Sequence, residues 1–337
     1  MKKFLPKLLG IGLILILVGG IIFLCGFAAS GFKFNKLSSL SVVENTFKES
    51  ADQPIDTLAI YFNTSDITVV FDDNATEISI VYQTLETKNK DAFTTITPTV
   101  ESGKLTLKEA FAKRVNVFPI QPKTKTTVTI PSSREITFFT ETDTGDVTFI
   151  GNSAFKSFEF HSDTGYVNAK DAVIKSLSKI FFETDTGDVR LGKIDTPSLS
   201  IETDTGDIFI DEGIVSDTTL IETETGDVTV TRSLASGKTE IETNTGDVTF
   251  KGNLKTAELT IESTTGDIET DSAVIDADSI EINASTTDVE ITLAGKREDY
   301  TVTIEQSTGD SNIKNQSGGS RRLNISLSTG DVEIDFK

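Results

Sequence analysis

Carboxylate side chains recur at regular intervals through the second half of the chain, and they are the residues best suited to chemistry. An aspartate follows a turn position in nine of ten places that are 19–22 residues apart. Columns of this kind could bind calcium, which takes several carboxylate and carbonyl oxygens in flexible geometry. They could also accept backbone N–H groups in turns or attract cationic partners. Turn chemistry is the favoured interpretation, and calcium is the weaker alternative.

The carboxylates occupy three neighbouring positions, counted from the turn residue as position 0. Two like charges at the spacing of stacked strands repel by roughly 1 kcal/mol in water, so something must offset the repulsion along each column. Position +1 carries nine aspartates from Asp146 to Asp331. Position −4 carries Glu141, Glu183, Glu202, Glu222, Glu242, Glu262 and Glu305, and position −2 carries Asp143, Asp163, Asp185, Asp204 and Glu224.

A ten-fold repeat of Thr-Gly-Asp-Val or a close variant carries these residues. Apolar residues alternate at period two on both sides of the turn and are mostly β-branched or aromatic, which predicts strands. Each unit is therefore predicted as a strand, a Thr-Gly-Asp turn and a second strand. Position 0 is filled by Gly145, Gly165, Gly187, Gly206, Gly226, Gly246, Gly266, Thr287, Gly309 and Gly330.

The constant phase of the repeat predicts an all-β fold, a parallel β-solenoid of about ten rungs over residues 136–337. Units of about 20 residues cannot bury an apolar face alone and must stack, whereas a β-sandwich need not repeat in phase. Glycine is expected at the turn because it reaches positive φ without a Cβ clash. The threonine before it has the parity of the inward residues, which predicts a column of hydroxyls inside the corner.

The first 135 residues are predicted to anchor and close this rod. Residues 8–29 carry no charge over a length that spans a bilayer as a helix. The lysines before them place residues 1–7 in the cytoplasm and the rest outside. A cleaved signal peptide is the alternative, although its apolar region is usually shorter. Cys25, the only cysteine, is predicted as a buried thiol of the membrane segment.

Two further segments lie between the anchor and the rod. Residues 30–50 are predicted as a polar tether and residues 51–135 as an irregular β cap. Within the cap, Leu58 to Val69 repeats the pattern with Ser65 at position 0, which predicts an isolated eleventh unit. The other end is predicted to lack a cap, with charged residues guarding its edge against strand addition. These are Arg321, Arg322, Glu333, Asp335 and Lys337.

No residue is assigned a catalytic, cofactor-binding or metal-binding role. His161, the only histidine, lies in the −4 column and is predicted as an exposed surface residue. The chain is predicted not to be an enzyme, and a polysaccharide-active parallel β-helix is the alternative. That alternative needs a basic residue beside an irregular acidic cluster, but the arginines are scattered. They include Arg134, Arg190, Arg232 and Arg297.

Two other functions are disfavoured. Beyond the apolar segment 52 acidic residues face 28 basic ones, which argues against nucleic acid as a partner. Ice binding would need outward threonines, but the Thr-x-Thr pairs, such as Thr203 and Thr205, have inward parity.

The repeat resembles a known bacterial family of unknown function that is labelled "putative adhesin". The resemblance is carried by the Thr-Gly-Asp-Val/Ile repeat, by residues 32–38 after the apolar start, and by Thr64-Ser65-Asp66-Ile67. It covers essentially the whole chain and implies a membrane-anchored or secreted β-solenoid with a surface binding role. No site residue carries over from the family.

Together these observations predict a single-pass protein of the cell membrane. Its N-terminus is cytoplasmic, and its acidic solenoid is extracellular and serves binding, adhesion or scaffolding at the bacterial envelope. The expected partner is an envelope protein or a glycan. A cation-dependent accessory function in envelope stress is a further alternative.

Overall fold

The computed structural model describes Ser38, residues 40–112 and residues 121–337. The predicted cytoplasmic segment, the membrane span and Cys25 lie outside the described residues. Among the residues that are described, no helix combines the length and the apolar character needed to cross a bilayer. The described residues also include a short 3-10 helix, Arg297–Asp299.

Within this part of the chain 23 strands are joined by hydrogen bonds into one continuous sheet. The first seven are β1 (Leu40–Lys48), β2 (Thr57–Phe62), β3 (Ser65–Asp72), β4 (Ser79–Thr87), β5 (Thr94–Glu101), β6 (Lys104–Phe111) and β7 (Thr124–Pro131). The next seven are β8 (Glu135–Thr144), β9 (Val147–Thr164), β10 (Val167–Ser176), β11 (Lys179–Thr186), β12 (Val189–Thr205), β13 (Ile208–Thr225) and β14 (Val228–Val230). The last nine are β15 (Leu234–Thr245), β16 (Val248–Phe250), β17 (Leu254–Thr265), β18 (Ile268–Thr270), β19 (Ile275–Thr286), β20 (Val289–Leu293), β21 (Tyr300–Thr308), β22 (Arg321–Thr329) and β23 (Val332–Phe336).

The predicted parallel β-solenoid is confirmed, with about nine turns. Equivalent residues lie opposite one another in successive rungs, as Ile201, Ile221 and Ile241 do on the long strands. These side chains are fully buried, and so are the inward-facing apolar side chains of the shorter strands. The core therefore runs along the inside of the winding. The period-two pattern places the intervening polar residues on the outer surface.

The unit of Ser65 is not isolated, because it stacks directly on the first regular rung. Ile60 lies opposite Thr140 and Ile67 lies opposite Val147, both in parallel register. Strands β6 and β7 add one more parallel level on the other side of this unit. Strands β5 and β4 then pair antiparallel with β6 and β7, and they close the N-terminal end.

Part of the predicted tether is a strand. Residues 40–48 form β1, which pairs antiparallel with β4 along its whole length. The polar composition of this segment favoured a tether. The alternation of side chains along β1 nevertheless places Phe47 against the core. Pairing with β4 satisfies the backbone groups of β1, so the prediction was wrong for this stretch.

The C-terminal units do not stack in sequence order. Strand β22 lies between β19 and β21, so the last unit of the sequence is inserted before the preceding one. The unit of Gly309 has only β21 and continues irregularly after its turn, whereas the last unit has β22 and β23. The unit with strands on both sides of its turn can extend the winding, and the one-stranded unit ends it.

The predicted absence of a C-terminal cap was also wrong. Asn315 lies along the outer edge of β21, where its Oδ1 accepts the Ile304 N–H at 2.7 Å and its Nδ2 faces the Ile304 carbonyl at 3.4 Å. Asn312 covers Ile334 in the same way, at 3.0 and 3.2 Å. Together with backbone bridges from Gln316 to Val302 and from Ser311 to Val332, these side-chain amides protect the edge.

Candidate functional site

The turn aspartates form a continuous hydrogen-bond ladder along one corner of the rod. Asp207 Oδ1 accepts the Asp227 N–H at 2.9 Å, and Asp227 Oδ1 accepts the Asp247 N–H at 2.9 Å. This confirms the interpretation of these residues as turn chemistry. Tyr166 interrupts the ladder, because its backbone N–H donates to Asp146 Oδ1 at 3.1 Å but its side chain has no carboxylate to accept the N–H of the next rung.

Glycine is required at position 0 by close approach of neighbouring rungs. A Cβ on Gly226 would lie 2.0 Å from the Gly206 carbonyl oxygen. The hydrogen bond that leads from Gly266 to the rung of Thr287 is 3.3 Å long, against 2.9–3.0 Å for the comparable bonds between neighbouring glycine rungs. Among the ten repeat units, the one with a β-carbon at this position therefore lies farther from its neighbour at the turn.

The hydroxyl column lies inside the corner at position −3 and not at position −1. Thr203 is buried, and its Oγ1 donates to the Gly187 carbonyl at 3.2 Å. Thr205 is exposed, because the strand turns outward over its last two residues. The prediction for the threonine before the glycine was therefore wrong. Ice binding was disfavoured because both threonines of each Thr-x-Thr pair were expected to face inward. That reason does not hold for Thr205, which is exposed, but Thr203 is buried, so the pair does not form an outward face.

The exposed −1 threonines stack in register along the whole rod. This column runs parallel to the carboxylates at position −2 and reaches from one end of the repeat to the other. In spatial order its members are Thr144, Thr164, Thr186, Thr205, Thr225, Thr245, Thr265, Thr286, Thr329 and Thr308.

The carboxylates at positions −4 and −2 form what we term the acidic face, on the outer side of the long strands. Parallel register stacks them, as it does Glu202, Glu222 and Glu242. Within the described residues no lysine or arginine lies within 4.0 Å of any of them. Partial burial and the charges of Glu202 and Glu224 raise the pKa of Glu222 above its ordinary value. Burial and the charges of Glu222 and Glu262 do the same to the pKa of Glu242.

The arginines that an enzyme would need are engaged elsewhere. Arg190 Nε lies 2.5 Å from Asp211, and Arg232 lies 3.0 Å from Glu212. Arg134 pairs with the buried Glu49 at 3.1 Å, and Arg297 Nε donates to Gln316 at 3.0 Å. None of them faces the acidic face. In the described part of the chain no three His, Cys, Asp or Glu side chains are arranged to hold a metal ion.

Four aromatic rings lie on the outer surface at the N-terminal end of the acidic face, and we term them the aromatic step. They are Tyr61, Phe139, His161 and Phe181, all half-buried. Successive ring centroids are 5.4, 5.4 and 5.2 Å apart. His161 was predicted to be an exposed surface residue, but it packs between two phenylalanines.

His161 also connects the aromatic step to the carboxylates. Its Nδ1 lies 2.5 Å from Glu183 Oε2, in the neighbouring rung. The signal for this site was present in the sequence, because Phe139 and Phe181 are aromatic residues at the outward position −6. Sequence reasoning missed them since it examined the outward positions for charge only.

Comparison with known proteins places the chain in a family. The model of the Toastrack DUF4097 family, a domain of unknown function, matches residues 55–334. The chain belongs to the Toastrack DUF4097 family. The resemblance inferred from the repeat is thereby confirmed, and no curated protein matches the chain.

The chain is also similar to solved structures, at low sequence identity. One is described as a putative adhesin of Bacteroides fragilis, with 12% identity, a TM-score of 0.34, and coverage of 86% of this chain and 97% of that one. A putative adhesin of Parabacteroides distasonis has 10% identity, a TM-score of 0.42, and coverage of 87% and 97%. A putative lipid binding protein of the same organism has 16% identity, a TM-score of 0.47, and coverage of 74% and 93%. At this level of similarity their descriptions carry no argument about function.

Proposed function

We propose that this Toastrack protein is a non-catalytic binding protein of the bacterial envelope, whose acidic face captures cationic partners. The observation that carries the proposal is a set of twelve carboxylates held in two stacked columns on a rigid sheet. Stacked like charges repel, and a cationic partner that spans several rungs relieves that repulsion along the column. Such a surface serves adhesion or scaffolding without chemistry.

The proposed location rests on the start of the sequence. Residues 8–29 anchor the chain as a single membrane-spanning helix, residues 1–7 face the cytoplasm, and the solenoid stands outside the cell. With tags at both ends, protease added to intact cells should remove only the C-terminal tag. Loss of both tags or of neither would contradict this orientation.

Retention on immobilised polylysine tests the binding function. The full chain in detergent micelles should be retained in a salt-dependent way, since exposed charges are screened by salt. Replacing Glu202, Glu222, Glu242 and Glu262 by glutamine should lower retention at least fivefold. A matched control removes four charges from other surfaces, through glutamine at Glu269, Glu290, Glu298 and Glu333.

Three outcomes would count against the proposal. Equal loss in both variants would mean that only the net charge matters. Release of reducing ends from acidic polysaccharides would favour the enzyme alternative. A large Ca²⁺-induced rise of the melting temperature, with a few calorimetric sites, would make the carboxylates a divalent-cation surface and the accessory function cation-dependent.

A further inference from the structure

At positions −6 and −4, on the strand segments before the turn, aromatic residues occur in four successive rungs only. Tyr61 and His161 lie at position −4, and Phe139 and Phe181 lie at position −6, so the rings alternate between two columns. Later rungs carry Ser200, Leu220, Glu240 and Thr260 at position −6. A half-exposed aromatic surface is costly in water, and its restriction to one continuous patch is typical of an interaction site.

Unneutralised carboxylates border this patch. A surface groove is lined by Phe139 and His161 together with Glu141, Asp143, Asp163, Glu183 and Asp185. Lys179 is engaged by Glu159, at 2.5 Å. Slight burial and the charges of Asp204, Asp163 and Glu183 raise the pKa of Asp185 above its ordinary value.

The same rod already contains one completed contact of the type that such a groove offers. The Arg190 guanidinium carbon lies 5.3 Å from the centroid of Phe209, and its Nε lies 2.5 Å from Asp211. A cation over a ring is attracted by the electron-rich face of the ring, and an adjoining carboxylate adds a charge-assisted hydrogen bond. The aromatic step provides rings beside carboxylates of positions −4 and −2, for which the described residues supply no lysine or arginine partner.

We propose that the aromatic step binds an extended cationic polypeptide segment, with lysine or arginine side chains over Phe139 and Phe181. This proposal rests on the proposed function and names the class of partner. The two phenylalanines are two rungs apart, which is roughly 9.6 Å at the usual strand spacing. A polyproline II segment advances about 9.3 Å in three residues, so basic residues at every third position match the two rings.

The unique histidine makes the test specific for this site. The full chain, labelled with ¹³C at the histidine ring and held in detergent micelles, is titrated with a twelve-residue peptide that has lysine at every third position. We expect saturable shifts of the His161 ring signals. The same peptide with all lysines acetylated should cause none, because it keeps the backbone and loses the charge.

Variants then separate the aromatic step from the rest of the acidic face. Phe139→Thr with Phe181→Thr should weaken binding at least tenfold, whereas Leu220→Thr, in the same column, should change it less than twofold. Asp163→Asn with Asp185→Asn should weaken binding at least fivefold, and these exposed positions keep the core intact. The melting temperature of each variant confirms that it is folded.

The outcomes distinguish this inference from the proposed function. If the peptide binds but the His161 signals and the phenylalanine variant are unaffected, the aromatic step is not the site, although the acidic face still binds cations. If neither this peptide nor polylysine binds, the proposed function fails as well. If a neutral oligosaccharide moves the His161 signals and the peptide does not, the site is a glycan platform and the inference is overturned.

Discussion

The turn glycines illustrate how a single residue type is selected by its neighbours along the rod. Positive φ was the expected reason for glycine, and several of these residues have it, among them Gly266 at 132°. Gly145 and Gly165 do not have positive φ, yet a Cβ on either would lie 2.4 or 2.1 Å from a backbone oxygen of the adjacent rung. Close stacking is therefore the requirement that all of them share.

Replacing one of these glycines should destabilise the rod. In Gly226→Ala the new methyl group would overlap the Gly206 carbonyl, and neighbouring rungs would have to separate. We expect a loss of at least about 2 kcal/mol in the free energy of unfolding, measured by urea denaturation. The adjacent Thr225→Ala removes an exposed side chain and should cost less than about 0.5 kcal/mol. Equal stability of the two variants would refute the packing argument.

The aspartate ladder can be separated into hydrogen bonding and charge. Asp227→Ala removes the acceptor of the Asp247 N–H and should cost about 1 kcal/mol. Asp227→Asn keeps a side-chain oxygen and removes one charge, so it should be neutral or slightly stabilising. Thermal melting of both variants at low salt measures the difference. A similar loss in both would show that the negative charge itself is needed.

At the scale of whole elements, parallel register turns a repeated residue into a column. The glutamates at position −4 share one surface because every rung places them at the same point of the long strand. Burial and neighbouring carboxylates raise the pKa of Glu222 and Glu242, so the charged column opposes folding. The raised pKa means that the folded chain binds these protons more tightly than the unfolded chain does.

This linkage predicts a pH-dependent effect of neutralising the column. Glu222→Gln with Glu242→Gln should raise the free energy of unfolding at pH 7 by about 1 kcal/mol, by relieving repulsion. As the pH falls through the raised pKa values, the wild-type glutamates become protonated and the advantage of the variant should shrink. Urea denaturation of both chains at pH 7 and at about pH 4 measures the difference in their free energies of unfolding. An advantage that is constant with pH would contradict the argument.

The N-terminal cap depends on one buried ion pair. Burial alone would raise the pKa of Glu49, but N–H donors from Ile78 and Ile55 and the Arg134 guanidinium together lower it. Its contribution to stability is therefore present above the unfolded value of 4.5 and is lost as the pH falls through the lowered folded value.

Breaking this ion pair should be among the single changes that most destabilise the cap. Arg134→Met leaves Glu49 buried without its cation and should cost about 3 kcal/mol at pH 7, measured by urea denaturation. The double variant Glu49→Gln, Arg134→Met should recover part of that loss, because no uncompensated charge remains. No recovery would mean that the arginine acts through packing alone.

For the molecule as a whole, both ends of the solenoid are closed by means that differ from the repeat. Antiparallel strands close the N-terminal end, and side-chain amides of Asn312 and Asn315 cover the other. Exposed strand edges invite pairing with other chains. We expect closure at both ends to hinder end-to-end pairing of rods, in keeping with the proposal that partners bind along the long sides.

The inverted order of the last two units gives a sharp test of the topology. Deleting residues 321–337 should leave β21 without its neighbour β22, so the amides of residues 300–308 should lose protection from hydrogen exchange. The melting temperature of this truncated chain should match that of a chain ending at residue 299. If the rungs were stacked in sequence order, deleting residues 321–337 would remove only the end rung. Strand β21 would then keep its protection from hydrogen exchange.

Much of this architecture could be predicted because it is encoded locally and repeated. Strand, turn and strand follow from period two and from Thr-Gly-Asp, and a constant phase over ten units predicts stacking. The hydrogen-bonding role of the turn aspartates followed from the same local chemistry. The predictions were wrong where the orientation of a side chain depends on the packing of neighbouring rungs, as it does for the outward threonines.

The sequence by itself determined the all-β class, the parallel winding and the acidic outer surface, because each depends on spacing along the chain. Only the tertiary structure decided that β22 lies between β19 and β21, that Asn312 and Asn315 cover the end, and that His161 packs between Phe139 and Phe181. Those features depend on which rung lies beside which. Every rung presents nearly the same edge, so the order of the rungs is set by which units have strands to pair on both sides.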